Sequence, residues 1–159
     1  MAIYTKLSEN NLKDFFQKYN LGKLLGYTGI TEGIENTNYS IKTDKGKFIL
    51  TVYEKRIEEK DLPFFMGLMR NLFDANFPSP EPIINRNGNY ITDIVGKKAA
   101  VVTFLNGAAK KELSPDNCKE VGINAAKLHL ITNNLAIKRK NKLSINSWRK
   151  IYKNVEKDC

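Results

Sequence analysis

The first twenty residues carry apolar side chains at the spacing of an amphipathic helix. Ser8, a residue type that caps helix N-termini, precedes the pattern. Leu21-Gly22 follows it, and glycine is common just past a helix C-terminus. The predicted apolar face consists of Leu12, Phe15, Phe16 and Tyr19. We therefore expect one helix that begins after Ser8 and ends near Leu21.

Between residues 24 and 53 the helical spacing gives way to the alternation typical of strands. Asp44-Lys45-Gly46 favours a tight turn, and residues 47–53 form a β-branched and aromatic run. A polar stretch at residues 31–38 separates the first two strands. The pattern predicts three antiparallel strands joined by short connections.

A second helix is predicted after Asp61, which can cap it, with Pro63 tolerated in its first turn. Its apolar face is predicted to be Phe64, Phe65, Leu68, Met69 and Leu72. Three prolines at 78, 80 and 82 then force extended chain. Two more strands are expected, one around the turn at residues 85–89 and a stronger one at residues 99–104.

The remainder of the chain has a helical pattern. Ser114-Pro115 begins a helix that ends near Thr132, and a polar connection leads to a last helix with Trp148 as a core anchor. Helical spacing relates Val121, Ala125, Leu128 and Ile131, then Trp148, Ile151, Tyr152 and Val155. Strands followed by helices predict an α+β fold.

Composition describes a packed protein of 159 residues, with 42% hydrophobic residues and no apolar run of bilayer length. We expect a cytoplasmic protein, because no apolar signal core follows the N-terminus. Cys118 and Cys159 are expected to be ordinary thiols, which fit a reducing compartment.

The net charge of +9 is concentrated at one end of the chain. Residues 138–159 contain eight basic residues against Glu156 and Asp158, so this segment carries +6 of the total. A solvated lysine-rich surface is the favoured interpretation. An electrostatic patch for nucleic acid or phosphate is the alternative, although no aromatic-interleaved basic motif supports it.

Four stretches, in order, resemble the aminoglycoside phosphotransferase and choline kinase superfamily. Residues 29–39 are similar to its nucleotide-covering loop and residues 48–56 to the following strand. Residues 101–107 resemble its last small-lobe strand and hinge, and residues 121–129 the Gly…Ala-x-Leu-His helix. Within it, the Tyr-Glu-Lys-Arg run at residues 53–56, followed by Asp-Leu-Pro-Phe-Phe at residues 61–65, resembles the bacterial homoserine kinases.

This resemblance implies a protein-kinase-like small lobe, with a five-stranded antiparallel sheet plus a helix, followed by the first helices of an incomplete large lobe. The implied division is a nucleotide-binding lobe at 1–104, a hinge at 105–112 and the start of a helical lobe at 113–159. The implied reaction transfers the ATP γ-phosphate to the hydroxyl of L-homoserine, a step in threonine biosynthesis, with Mg²⁺. A kinase of another small hydroxyl acceptor, such as an aminoglycoside or a choline-like molecule, remains an alternative. So does a non-catalytic binding module.

The polar loop is the first candidate site, since ATP phosphates need hydrogen-bond donors. Gly33 would let backbone N–H groups approach closely, and Asn36, Thr37 and Asn38 would add short side-chain donors. An ordinary hairpin connection would look similar, because the loop is not a Gly-x-Gly-x-x-Gly sequence.

The hinge is the second candidate. The resemblance places the Thr103 carbonyl and the Leu105 N–H against the adenine edge, with Val102 at the back of the slot. An apolar strand that ends at a polar linker is also common without a ligand.

Two charged residues typical of kinase folds are replaced here. Thr51 stands where a strand lysine would face the α- and β-phosphates, and Phe65 stands near the position of its glutamate partner. Lys55 and Arg56 are the candidate replacement cations.

The superfamily's His-Gly-Asp-x-x-x-x-Asn block is absent from the sequence. His129 precedes Leu130-Ile131 and is expected to be a partly buried structural residue. We expect the catalytic Asp and Asn and the Mg²⁺ ligands beyond Cys159, and the isolated chain to be inactive.

Overall fold

In the computed structural model, residues 3–142 and 144–155 are described. Helix α1 spans Glu9–Phe16, and Ser8 and Asn11 form a reciprocal capping box at its start. The helix ends earlier than predicted. The N–H groups of Lys18 and Tyr19 bond to the carbonyls of Phe15 and Phe16, so the last turn tightens before Leu21-Gly22 is reached.

The three strands predicted between residues 24 and 53 are present. β1 spans Leu24–Ile30, β2 spans Thr37–Thr43 and β3 spans Gly46–Val52, each antiparallel to the next. Gly46 has a φ of 145°, which glycine adopts readily at the turn that joins β2 to β3.

The sheet contains six described strands, one more than predicted. β4 spans Pro82–Ile83, β5 spans Ile91–Ile94 and β6 spans Lys97–Thr103. The order is β1-β2-β3-β6-β4, with β5 also paired to β6. The prediction counted the stretch around the turn at residues 85–89 as one strand, whereas its two flanks form two separate strands, β4 and β5. Both pair with β6, at different places along its length.

The two faces of the sheet differ in burial. Directly opposed residues of an antiparallel pair project from the same face, so the register identifies the members of each face. One face packs on α1 to form the core; its buried apolar sheet residues are Tyr39, Ile41, Phe48, Leu50, Val52, Ile94, Ala99 and Val101. The other face is mostly half-buried, although Ala100 is buried opposite Thr51, and we call it the open face.

Helix α2 spans Leu62–Asp74 and follows a 3₁₀ turn at Glu59–Asp61. The predicted helix start is confirmed, but the predicted cap is wrong, because the Asp61 side chain makes no capping hydrogen bond. The predicted apolar face is also displaced. Leu62, Met66 and Leu72 are buried, whereas Phe64, Phe65, Leu68 and Met69 are half-buried.

The Asp61 carboxylate instead pairs with the basic segment that follows the third helix. Arg139 Nη2 and Lys142 Nζ each lie 3.0 Å from Asp61 Oδ2, and the Arg139 guanidinium lies 5.0 Å from the centre of the Phe65 ring. The interpretation of the basic segment as simply solvated is therefore wrong for these two residues.

The last two helices lie mostly in solvent. α3 spans Pro115–Thr132 with the predicted Ser114 cap, and α4 spans Ile145–Val155. Trp148 is 59% exposed and His129 is also exposed. The predictions of a core tryptophan and a partly buried histidine are wrong for the described part of the chain. Although α3 contacts α2, neither α3 nor α4 has a buried residue there.

Cys118 is an exposed free thiol, whereas Glu156, Asp158 and Cys159 lie outside the described residues. No helix within the described ranges is both long and apolar enough to span a membrane.

Candidate nucleotide site on the open face

The strand register brings polar and apolar residues together on the open face. Asn38 lies opposite Thr51, and Ile49 lies opposite both Ser40 and Val102 on its two sides. All five are half-buried. Ile49 and Val102 form an apolar strip next to a polar pair, an arrangement that suits a ligand with a flat apolar part and a polar part.

The polar pair occupies the position where a kinase lysine is expected. Thr51 Oγ1 donates a hydrogen bond of 2.8 Å to Asn38 Oδ1. Within the described ranges no hydrogen bond is found for the Asn38 side-chain NH₂ group. Thr51 therefore orients the amide with its two donors free for an acceptor on the open face.

The end of the site at the predicted hinge is held to neighbouring segments of the same chain by backbone and side-chain hydrogen bonds. The Thr103 N–H donates to the Glu81 carbonyl at 3.0 Å, and Thr103 Oγ1 accepts from the Glu81 N–H at 2.9 Å. Phe104 N–H donates to the Lys47 carbonyl at 3.2 Å. Among the described residues, the exposed Leu105 N–H has no hydrogen-bond partner, so a free donor lies next to Val102 and Thr103.

The other end of the site is the connection between β1 and β2. We call residues 31–36 the glycine loop. Gly33 has a φ of 107°, a conformation that L side chains rarely adopt, and a Cβ there would meet no atom within 4 Å. Glycine is needed for the backbone path and not for space. Ile34 is 73% exposed near the tip, so the loop stands open to solvent.

Asn36, Thr37 and Asn38 were predicted together as loop donors, but the structure separates them. Asn36 Oδ1 accepts from the Glu54 N–H at 3.3 Å. Thr37 and Asn38 belong to β2, and their side chains project from opposite faces. The fully buried Thr37 hydroxyl donates to Glu54 Oε1 at 2.8 Å. Only Asn38 of the three reaches the open face from within a strand.

The candidate cations lie beside the loop and are exposed. Arg56 Nη1 is 3.9 Å from Glu35 Oε1, which brings the guanidinium next to the glycine loop. Lys55 is exposed beside it. Both side chains can move towards a phosphate without breaking a buried contact.

Glu54 is the residue that sequence reasoning missed. Its carboxylate accepts from Thr5 Oγ1 at 2.6 Å and from Thr37 Oγ1, and it pairs with Lys97. Burial alone would raise the pKa of Glu54, but hydrogen bonds from Lys97, Thr5 and Thr37 outweigh it and lower the pKa below the usual value. Glu54 lies inside the Tyr-Glu-Lys-Arg run, yet its partners are distant in sequence, so no local pattern shows its role.

Comparison with known proteins identifies the family. The sequence model of the phosphotransferase enzyme family matches residues 26–155. The chain belongs to the phosphotransferase enzyme family. It is 46% identical over 152 residues to a homoserine kinase of Bartonella tribocorum, covering 96% of this chain and 48% of that protein. A homoserine kinase of Rhodopseudomonas palustris is 42% identical over 152 residues, covering 96% of this chain and 46% of the relative. The chain thus spans about half the length of the curated relatives it matches.

Solved structures agree on the fold. A spectinomycin phosphotransferase in complex with ADP and spectinomycin has a TM-score of 0.68 at 13% identity, over 97% of this chain and 48% of that one. Its AMP-bound complex has a TM-score of 0.64 at 12% identity, over 96% and 48%. The predicted family and the kinase-like α+β small lobe are confirmed.

The phosphotransferase chain does not assemble a metal site from its described residues. Across residues 3–142 and 144–155, no three His, Cys, Asp or Glu side chains cluster so that they could hold a metal ion. The described residues by themselves therefore offer no preformed site for Mg²⁺.

Proposed function

We propose that this chain is the nucleotide-binding portion of a homoserine kinase, which transfers the γ-phosphate of ATP to the side-chain hydroxyl of L-homoserine. The observation that carries the proposal is the open face, which has a free Leu105 N–H at one end and the glycine loop at the other. The names of the relatives from Bartonella and Rhodopseudomonas support homoserine as the acceptor.

In the proposed binding mode the adenine lies on Ile49 and Val102, and its edge bonds to the Leu105 N–H and the Thr103 carbonyl. The phosphates extend towards Gly33 and Asn38. This direction follows from chemistry, because the hinge end of the open face has the apolar Ile49 and Val102 with a single free N–H, whereas the loop end carries the two free donors of the Asn38 amide. Lys55 and Arg56 would then supply the positive charge that Thr51 does not.

Nucleotide binding is tested on the 159-residue chain by thermal unfolding with ATP. A ligand at one hundred times its Kd stabilises the folded state by about 2.7 kcal/mol, which is easily measured. Replacement of Lys55 and Arg56 by alanine should reduce the ATP-induced rise in Tm. Replacement of Lys23 and Lys45, near the opposite end of the sheet, removes the same charge and should leave the rise unchanged. Absence of any ATP effect on the wild-type chain refutes the proposal.

The acceptor is tested with two chimaeras. Residues 1–155 are fused either to the remaining portion of the Bartonella tribocorum homoserine kinase or to the corresponding portion of the spectinomycin phosphotransferase. We expect ADP release that depends on L-homoserine in the first chimaera and no such homoserine-dependent release in the second. We also expect the isolated chain to be inactive. Turnover of homoserine by the isolated chain would contradict the proposal. Homoserine-dependent ADP release by the second chimaera but not by the first would also contradict it.

A further inference from the structure

We infer that Glu54 is a positioning residue for the nucleotide phosphates. It holds in place the returning half of the glycine loop, residues 34–36, and the junction of that half with β2 at Thr37. This inference rests on the proposed nucleotide site. Among the described residues the Glu54 carboxylate bonds to Thr5, Thr37 and Lys97, none of which belongs to the open face or the hinge, so its effect on a ligand passes through the loop.

The first step in the argument is where Glu54 lies. It lies two residues after Val52, the last residue of β3, and the register places Thr37 opposite Val52. The Glu54 carboxylate and backbone N–H therefore meet the point where the glycine loop enters β2. The carboxylate bonds to the Thr37 hydroxyl and the N–H bonds to the Asn36 side chain.

The second step is that the N-terminal segment closes the same network. The N–H groups of Tyr4 and Thr5 donate to Thr37 Oγ1 at 2.9 and 3.0 Å, and the Thr5 hydroxyl donates to Glu54. The Tyr4 hydroxyl donates a hydrogen bond of 3.0 Å to the Ile34 carbonyl. A hydrogen-bond network centred on Glu54 thus holds three positions. Two, Ile34 and Asn36, belong to the returning half, and the third, Thr37, is its junction with β2.

The third step is the contrast between the two halves of the loop. In the part of the chain that the structure describes, residues 31–33 make no side-chain or loop hydrogen bond, whereas Ile34, Asn36 and Thr37 are hydrogen-bonded to Tyr4 or Glu54. A bound phosphate has to order only the outgoing half around Gly33. Preorganisation of the returning half reduces the entropy lost on binding, so it raises affinity for the phosphate-bearing ligand specifically.

Lys97 completes the arrangement by compensating the Glu54 charge. Lys97 Nζ donates to Thr5 Oγ1 at 2.7 Å and pairs with Glu54 Oε2. A half-buried carboxylate without this partner would repel the phosphates and weaken the lobe. The pair therefore lets a negative residue anchor a loop that binds negative ligands.

The test compares ATP with adenosine in calorimetric binding to the 159-residue chain. Adenosine would use the hinge and the apolar strip, whereas ATP would also use the loop. We expect Glu54→Gln to weaken ATP binding about tenfold, the effect of losing one or two hydrogen bonds to a charged group, and to leave adenosine affinity unchanged. Thr5→Val removes one donor to Glu54 from outside the loop and should act in the same direction. Thr5→Val is also the alternative test variant if Glu54→Gln does not fold.

Two control variants separate positioning from general loosening. Tyr19→Phe removes the buried hydrogen bond of 2.8 Å to Thr92 on the far side of the same lobe, and Glu9→Gln makes the same chemical change at an exposed ion pair. Neither should change the ratio of ATP to adenosine affinity.

The outcomes distinguish this inference from the proposed function. A wild-type chain that binds neither ligand refutes the nucleotide site itself. If the wild type binds both ligands, an unchanged affinity ratio in Glu54→Gln and Thr5→Val overturns the positioning role. Equal losses for ATP and adenosine also overturn it.

Discussion

Truncation on the two faces of the sheet should separate stability from nucleotide binding. Leu50 lies on the core face of β3, where it is 0% exposed opposite Tyr39 and Val101. Val102 is the next residue along β6 from Val101 and is half-buried on the open face. We consider Leu50→Ala and Val102→Ala as a matched pair of aliphatic truncations on adjacent strands.

The expected losses of stability differ because the burial differs. Removal of a fully buried leucine side chain costs about 2–5 kcal/mol, since a cavity remains in the core. For a chain of this size each kcal/mol lowers Tm by about 2–4 °C, so Leu50→Ala should lower Tm by roughly 10 °C. Val102→Ala removes about two half-exposed methyl equivalents, which at about 0.8 kcal/mol per fully buried group gives about 1 kcal/mol or less.

Thermal unfolding with and without saturating ATP measures both effects in one experiment. The Leu50 variant should unfold earlier but gain the same stabilisation from ATP as the wild type, because its side chain faces α1. The Val102 variant should unfold close to the wild type but gain less from ATP, because adenine loses part of its apolar support.

The reasoning would be refuted by the reverse pattern. A folded Leu50→Ala variant that no longer responds to ATP would place the ligand on the core face. A Val102→Ala variant with an undiminished response would remove the open face from the binding site. Circular dichroism at the binding temperature checks that both variants remain folded.

Three further outcomes follow from local geometry. Val95→Asn should raise the free energy of unfolding by about 1 kcal/mol in denaturant titration, because Val95 has a φ of 43° in a two-residue hairpin turn that favours asparagine. Gly67→Ala should be more stabilising in an Ile137→Val background than alone, since a Cβ on Gly67 would lie 2.8 Å from Ile137 Cδ1, and a double-mutant cycle measures the difference. The Glu54 contribution to stability should be present above its ordinary pKa of 4.5 and lost as pH falls through the lowered folded value, so Glu54→Gln should flatten the acid side of a plot of Tm against pH.

The elements that were predicted correctly are those with local causes. Ser8 and Ser114 each bond to a backbone N–H three residues ahead, so the cap and its helix lie within one short stretch of sequence. The β2–β3 hairpin is likewise determined by its turn and by alternation on either side. Such features depend on neighbours along the chain, and a sequence displays those directly.

The errors came from contacts between distant residues. Asp61 looked like a cap, but Arg139 and Lys142 reach it from the basic segment and take its carboxylate. Trp148 looked like core because tryptophan is large and apolar, yet it is largely exposed in the described structure. Burial and ion pairing depend on which elements pack together, which a periodic pattern does not specify.

The candidate site shows the same division. The glycine in the loop, the apolar strand before the predicted hinge and Thr51 at the position where the resemblance implies a strand lysine are all visible in the sequence. The side on which each residue of the loop–strand junction points is not. Thr37 and Asn38 are adjacent, but a strand sends alternate side chains to opposite faces, so one is buried on Glu54 while the other reaches the open face.

For this protein, then, the order of residues alone indicated the helices, five of the six described strands, the position of the turns and the family. The tertiary structure decided the faces: which polar groups are consumed by internal bonds and which remain free for a ligand. The physical reason is that a hydrogen bond or an ion pair requires proximity in space. Residues 5, 37, 54 and 97 become neighbours only when three strands and the N-terminal segment meet.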